Sequence, residues 1–362
     1  MCIRDRFILL AWLGLSCIQN SPQAPYPYAV AGNPWNEALG NHRAVLSVDN
    51  PDEAVMLSFD WRRPDQDVEN RRFLIVHAET GDTIPNIRRI AVDNEQCRLA
   101  FGPVKAKGTY YFYYLPYRVQ PGWGNYHRDY YPQEDAPDPQ WSATSSSAAS
   151  LPQATVVRVE SRTEFDSFYP MEVIATENEK ASYREQNPGR FLVFPEDRTF
   201  PIRMKAHLPY KWLQDTDHSA FKGTAMPNEY YAFQLGVWAG KQPLQSIVYE
   251  TSGLKSGNNI IPATAITCFN MSGVSPVGKP FTKEVSVDAD AVQPLWFGVD
   301  LQADQPAGTY KGTIVLTDET GYAVPVGIEL KVTGKPLADR GDNEPWRHSR
   351  LRWLNSTLGI TD

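Results

Sequence analysis

The chain is poor in the residues that carry thiol and metal chemistry. Its 362 residues hold four cysteines, Cys2, Cys17, Cys97 and Cys268, and six histidines. No two cysteines form a CxxC pair, which excludes zinc-ribbon and thioredoxin-like sites. His42, His77, His127, His207, His218 and His348 never fall at metal-ligand spacing, and HExxH is absent. His127 and Asp129 make one HxD pair, a pattern that a solvated loop produces as readily as a ligand pair. The phosphate-cradling GxxxxGK[ST] loop is missing, and so is the GxSxG nucleophile elbow. Positive charge is also short: 35 Lys and Arg stand against 42 Asp and Glu, a net charge of −7. The basic residues are scattered, which argues against nucleic acid as a partner. Carboxylates are abundant, but nothing in the sequence singles out two of them as an acid/base pair. No catalytic residue, cofactor or metal site is assigned on these grounds.

Long apolar runs are absent too. Phe7–Leu15 is too short to span a bilayer as a helix. Arg4 and Arg6 precede it and small or polar residues follow at Ser16–Ser21, the layout of a bacterial signal peptide. The chain is therefore expected to be exported to the periplasm, the outer membrane or the medium. Cys17 follows Leu-Gly-Leu-Ser, a relaxed lipobox with Gly14 where Leu is preferred. Either Cys17 becomes a lipidated N-terminus, the one route to a membrane, or it is incidental.

Turn formers and aromatics are plentiful. The 29 Pro, 24 Gly, 18 Tyr and 10 Trp favour short strands over long helices. Val55, Leu57, Phe59 and Trp61 alternate with polar or smaller residues, which places them on one sheet face. Phe73–His77 is a second strand, closed by Thr80-Gly81-Asp82, and Tyr110–Leu115 an aromatic third. Further on, Thr155–Glu160, Phe191–Phe194, Pro201–Ala206 and Tyr230–Trp238 read as strands. Leu295 to Leu301 and Val324 to Val332 repeat the two-residue period, with Pro325 at an edge or a strand start. Pro170–Gln186 is the helix candidate, with Pro170 in the first turn and Asn187-Pro188-Gly189 as the stop.

The expected fold class is mainly β, two tandem β-sandwich domains, the second with a short helical insertion. The predicted order is signal peptide 1–17, spacer 18–34, first sandwich 35–131, Pro/Ser-rich linker 132–153, second sandwich 154–335 and a closing segment 336–362. Cys97 and Cys268 then fall in different sandwiches, where two buried free thiols are the expectation and a disulfide between them the alternative. Pro121–Tyr131 gathers Trp123, Tyr126, Tyr130 and Tyr131 in a glycine-containing loop. Flat aromatic rings can stack on the apolar C–H faces of sugars, so these four are the carbohydrate-contact candidates. The alternative is that they fill an interdomain seam, where half-wet Tyr and Trp are also at home.

Three segments, Phe165–Thr176, Glu229–Ala239 and Pro294–Leu316, resemble recurring segments of glycoside hydrolase family 123 proteins. Gly341–Gly359 looks like the lead-in to the barrel of those proteins. The resemblance runs from about Trp35 to Asp362, and it marks the second sandwich, 154–335, as family 123 N-terminal-like. It implies a (β/α)8 catalytic barrel beyond Asp362, with a glycan as substrate. It implies cleavage of terminal β-linked N-acetylgalactosamine, with an Asp-Glu pair in the barrel orienting the substrate's own acetamido nucleophile. That pair is not among these residues. Trp346, Arg347, Arg350 and Trp353 would dock the barrel, the alternative being a solvated helix face. A glycan-binding or adhesion module of the cell surface is the second reading.

Overall fold

The computed structural model describes residues 26–120, 127–144, 150–215 and 217–341. Among the described residues, ten strands build the first half. They are β1 (Tyr28–Val30), β2 (His42–Val48), β3 (Val55–Phe59), β4 (Phe73–His77), β5 (Asn86–Val92), β6 (Cys97–Gly102), β7 (Gly108–Tyr114), β8 (Tyr117–Gln120), β9 (His127–Tyr130) and β10 (Gln153–Ser161). The strand order is β4-β7-β2-β10-β3-β6-β5, with β1 parallel to β10. Strand β10 joins the two layers. Its residues from Thr155 onward pair antiparallel with β2, while Gln153 and Ala154 pair parallel with β3. The sequence-based boundary at 154 therefore shifts: β10 closes the first sandwich, because its Ala154 and Val159 pack into that core.

The core contains Leu46, Leu57, Phe59, Phe73, Phe101 and Phe112, all essentially buried. A buried Phe contributes about 2–3 kcal/mol of transfer free energy. Edge-to-face contacts such as Phe73 with Phe112 (5.3 Å) fix the packing further. Cys97 lies in this core as a free thiol, and burial raises its pKa well above the usual thiol range. Cys268 is a free thiol in the other core, its pKa raised by burial to about 11.

Part of the expected linker is folded. Helix α1 (Pro139–Thr144) starts where Asp138 Oδ1 accepts from the backbone N–H groups of Gln140 and Trp141. Its Trp141 is buried over Ala54 and Ala100, and Trp141 Nε1 donates to Glu53 O at 2.6 Å. One aromatic anchor outweighs the polar composition around it.

The second half is another sandwich. They are β11 (Phe191–Asp197), β12 (Ala220–Ala225), β13 (Tyr230–Ala239), β14 (Leu244–Ser256), β15 (Asn259–Ile261), β16 (Ile266–Cys268), β17 (Ser272–Val274), β18 (Pro280–Thr282), β19 (Val285–Val287), β20 (Val292–Asp300), β21 (Gly308–Thr317) and β22 (Ala323–Val332). Sheet β11-β13-β20-β16 packs on sheet β12-β22-β21-β14-β15, with β19 beside β14. Strand β22 is interior, yet Pro325 is tolerated near its start, because β12 begins to pair only at Gly327.

Strand β13 is buried on both faces, which explains its near-continuous apolar run. Tyr231, Phe233, Leu235 and Val237 face the sandwich core. Trp238 on the other face meets Phe194, Trp212 and Leu208 under a helical layer. That layer holds α2 (Glu177–Gln186) and α3 (Tyr210–Gln214). Gly236 gives Trp212 its room: a Cβ there would stand 2.4 Å from Cη2 of that indole. Gln234 is fully buried, but Ile202 N donates to its Oε1, and its Nε2 donates to Asp197 O and Phe200 O.

Two sequence expectations change here. Helix α2 starts at Glu177, not near Pro170, because residues 173–175 are already paired with the 208–210 segment. Thr176 then caps it in a full capping box with Glu179. Residues 201–206 are not a strand. Pro201 has no N–H to give a ladder, and Ile202 N is taken by the Gln234 side chain.

Candidate functional site

The two sandwiches meet through a segment, residues 162–176, that leaves β10 and leads to α2. Arg62 anchors its far end. This buried side chain donates to both carboxylate oxygens of Glu179 at 2.7 and 2.8 Å and to Ile174 O at 3.1 Å. The Tyr210 ring covers its guanidinium at 4.3 Å. Burial opposes the Glu179 charge, yet the Arg62 and Thr176 hydrogen bonds hold its carboxyl below the usual range.

Beside this anchor lies a cavity of about 240 Å³. The first sandwich supplies Asn41, His42, Arg63, Asp65, Tyr114, Tyr117 and Tyr130, and the connecting segment supplies Phe165, Asp166, Phe168 and Glu172. Arg203, from the run before α3, closes one side. Arg63 Nε donates to Asp65 Oδ2 at 2.7 Å, and the guanidinium lies 4.3 Å from the Phe168 ring centre. Burial works against the Arg63 charge, but Asp65 more than compensates and its pKa stands above the ordinary value. His42 Nε2 is 2.6 Å from Asp166 O, and its ring meets Phe168 edge-on at 4.3 Å. Glu172 has Arg203 at 3.7 Å, and Asp166 has Arg162 at 3.8 Å. Burial pushes the Glu172 pKa up against the pull of Arg203. Nη1 of Arg63 and the hydroxyl of Tyr114 are buried without a hydrogen-bond partner. Burial also raises the Tyr114 pKa, which keeps that hydroxyl protonated as a donor.

Phe165 stands at the rim. It is 91% exposed on a single 3-10 turn (Glu164–Asp166), whereas Phe168, three residues on, is 6% exposed. A larger hollow of about 530 Å³ lies at Lys205 and residues 286–293. Its Asp290 is already held by Lys180 and Arg184, while Asp288 also lines it.

Of the four aromatic candidates from the sequence, Tyr130 lines the cavity, with Arg71 over its ring at 3.6 Å and Tyr117 edge-on at 6.0 Å. Tyr131 lies elsewhere, in a hollow of about 340 Å³ with Phe73, Pro116 and Glu134, and Arg118 covers its ring at 4.6 Å. Trp123 and Tyr126 lie outside the described residues, as do Cys17, Trp346, Arg347, Arg350 and Trp353. Phe165, Arg63 and Arg203 were not singled out as site residues from sequence. For Phe165 the signal is the segment Phe165–Thr176, noted for its resemblance alone, whereas Arg63 and Arg203 lie outside it. Among the described residues no group of three His, Cys, Asp or Glu could hold a metal ion, and no helix is long and apolar enough to cross a membrane.

Among solved structures, the chain is similar to a family 123 glycoside hydrolase from Clostridium perfringens, described for glycolipid glycan hydrolysis. That likeness has 12% identity and a TM-score of 0.32, covering 40% of this chain and 27% of the other. The sporulation control protein Spo0M from Bacillus subtilis gives 12% identity and a TM-score of 0.24 over 40% and 50% of the two chains. A type I cohesin from Pseudobacteroides cellulosolvens gives 8% identity and a TM-score of 0.19 over 33% and 92%. The chain thus spans 27% of the length of the family 123 enzyme it matches. No curated protein matches it. A family model does match, over the first sandwich. Residues 33–162, from before β2 through β10, match the model described as glycoside hydrolase 123, N-terminal domain, so the chain carries a region similar to that domain.

Proposed function

We propose that the chain serves as the accessory, non-catalytic β-sandwich region of an exported glycoside hydrolase. The observation that carries this reading is the family-model match at residues 33–162. The parent enzyme would hydrolyse O-glycosidic bonds, of β-N-acetylgalactosaminide type, in a (β/α)8 barrel. Trp346, Arg347, Arg350 and Trp353 would dock that barrel, and Cys17 would anchor the protein through a lipid.

The structure supports a supporting role physically. The Arg62–Glu179 pair and the Arg62–Ile174 bond tie the first sandwich to the helical layer of the second. Such a pair fixes the sandwiches relative to each other, as a platform for a neighbouring domain requires. The test compares three proteins on an aryl N-acetyl-β-galactosaminide: this chain, the barrel-containing parent, and the parent lacking residues 33–341. The expected result is turnover by the parent, none by this chain, and a lower melting temperature in the shortened parent. Turnover by this chain alone would overturn the reading.

A further inference from the structure

The cavity at the seam has features that a supporting role does not require. We propose that it is a subsite for one neutral pyranose sugar, with Phe165 as the stacking platform. The inference deepens the proposed function and rests on it for the ligand class.

Three observations carry it. The first is charge balance. Each carboxylate of the wall has its own arginine: Asp65 with Arg63, Glu172 with Arg203, and Asp166 with Arg162. A phosphate or carboxylate ligand would meet these carboxylates, and a cation would meet the guanidiniums. A neutral ligand with several hydroxyls meets neither penalty. It finds planar side chains offering paired donors and acceptors, which is what vicinal hydroxyls pair with.

The second is Phe165. One exposed apolar side chain is ordinary on a protein surface and means nothing alone. Here the ring stands at the rim of a walled polar cavity. A pyranose has an apolar C–H face and a polar edge, and an exposed ring beside hydrogen-bonding groups matches both.

The third is size. The volume of about 240 Å³ lies below the ~300–1,000 Å³ of drug-sized pockets, which fits one ring rather than an oligosaccharide.

The test is saturation-transfer NMR on the full chain with methyl β-galactopyranoside, methyl N-acetyl-β-galactosaminide and methyl β-glucopyranoside, and with glucuronate as the charged comparison. At least one neutral glycoside should receive saturation on its ring C–H protons, more strongly than glucuronate. Phe165→Ala should weaken binding at least tenfold, while Phe165→Trp keeps it. Arg203→Ala, at a largely exposed side chain, should also weaken it without altering the melting curve. No transfer to any neutral sugar would overturn the proposal, as would transfer undiminished by Phe165→Ala or a preference for glucuronate. Those outcomes leave the three-protein comparison untouched, so the two readings fail separately.

Discussion

Replacing Glu179 by Ala removes the partner of a buried cation and half of a helix cap in one change. Arg62 is 8% exposed and keeps Ile174 O as an acceptor, but it loses both carboxylate bonds. Stripping one partner from a fully buried ion pair costs about 3–5 kcal/mol. Glu179 has a side chain 33% exposed, so solvent screens the pair and brings the cost below that range, to about 2–3 kcal/mol. Loss of the capping box adds about 1 kcal/mol. The sum is about 3–4 kcal/mol, equivalent to a fall of about 10 °C in a domain of this size. Thermal unfolding followed by circular dichroism measures it. Arg62→Leu combined with Glu179→Leu should lose less than the sum of the single variants, because no charge is left stranded. A melting temperature unchanged in Glu179→Ala, or strict additivity in the double variant, would refute the reasoning.

Three further outcomes are expected. Gly236→Ala should destabilise by about 1–3 kcal/mol through the clash with Trp212, read as a lowered denaturant midpoint. Trp141→Ala empties the pocket over Ala54 and Ala100, and should cost about 3 kcal/mol and make residues 132–144 sensitive to protease. Stability should also fall with acid in two stages. Burial depresses the pKa of His207 and His218 below 6.5, so the unfolded chain takes protons first and stability declines as pH drops from about 6.5. Glu179 and Asp290 are held below their ordinary values by Arg62 and by Lys180 with Arg184. Their contribution is present above about pH 4 and is lost as pH falls through the depressed values. A flat denaturant midpoint from pH 7 to 5 would contradict the histidine stage.

Period-two alternation made β3, β13, β20 and β22 legible, because each turns one apolar set toward a core. The start of α2 was not legible. Pro170 is a good first helical residue by itself, but the backbone just after it is claimed by residues 208–210, a contact distant in sequence. Trp141 shows the reverse, a single side chain that orders a stretch whose composition reads as linker. The seam cavity lay furthest from sequence reasoning. Phe165 and Phe168 stand three residues apart in the same phrase, yet one is a rim and the other is core. Only the turn at Glu164–Asp166 separates their fates, and that turn has no strong local signature.

The most direct measurement is to read the source DNA beyond the codon for Asp362. The account predicts a further ~250 residues with alternating strand and helix patterns, as a (β/α)8 barrel requires, carrying an adjacent Asp-Glu pair. A stop codon immediately after Asp362 in the intact gene would contradict it, and the chain would then have to act without a hydrolase domain of its own.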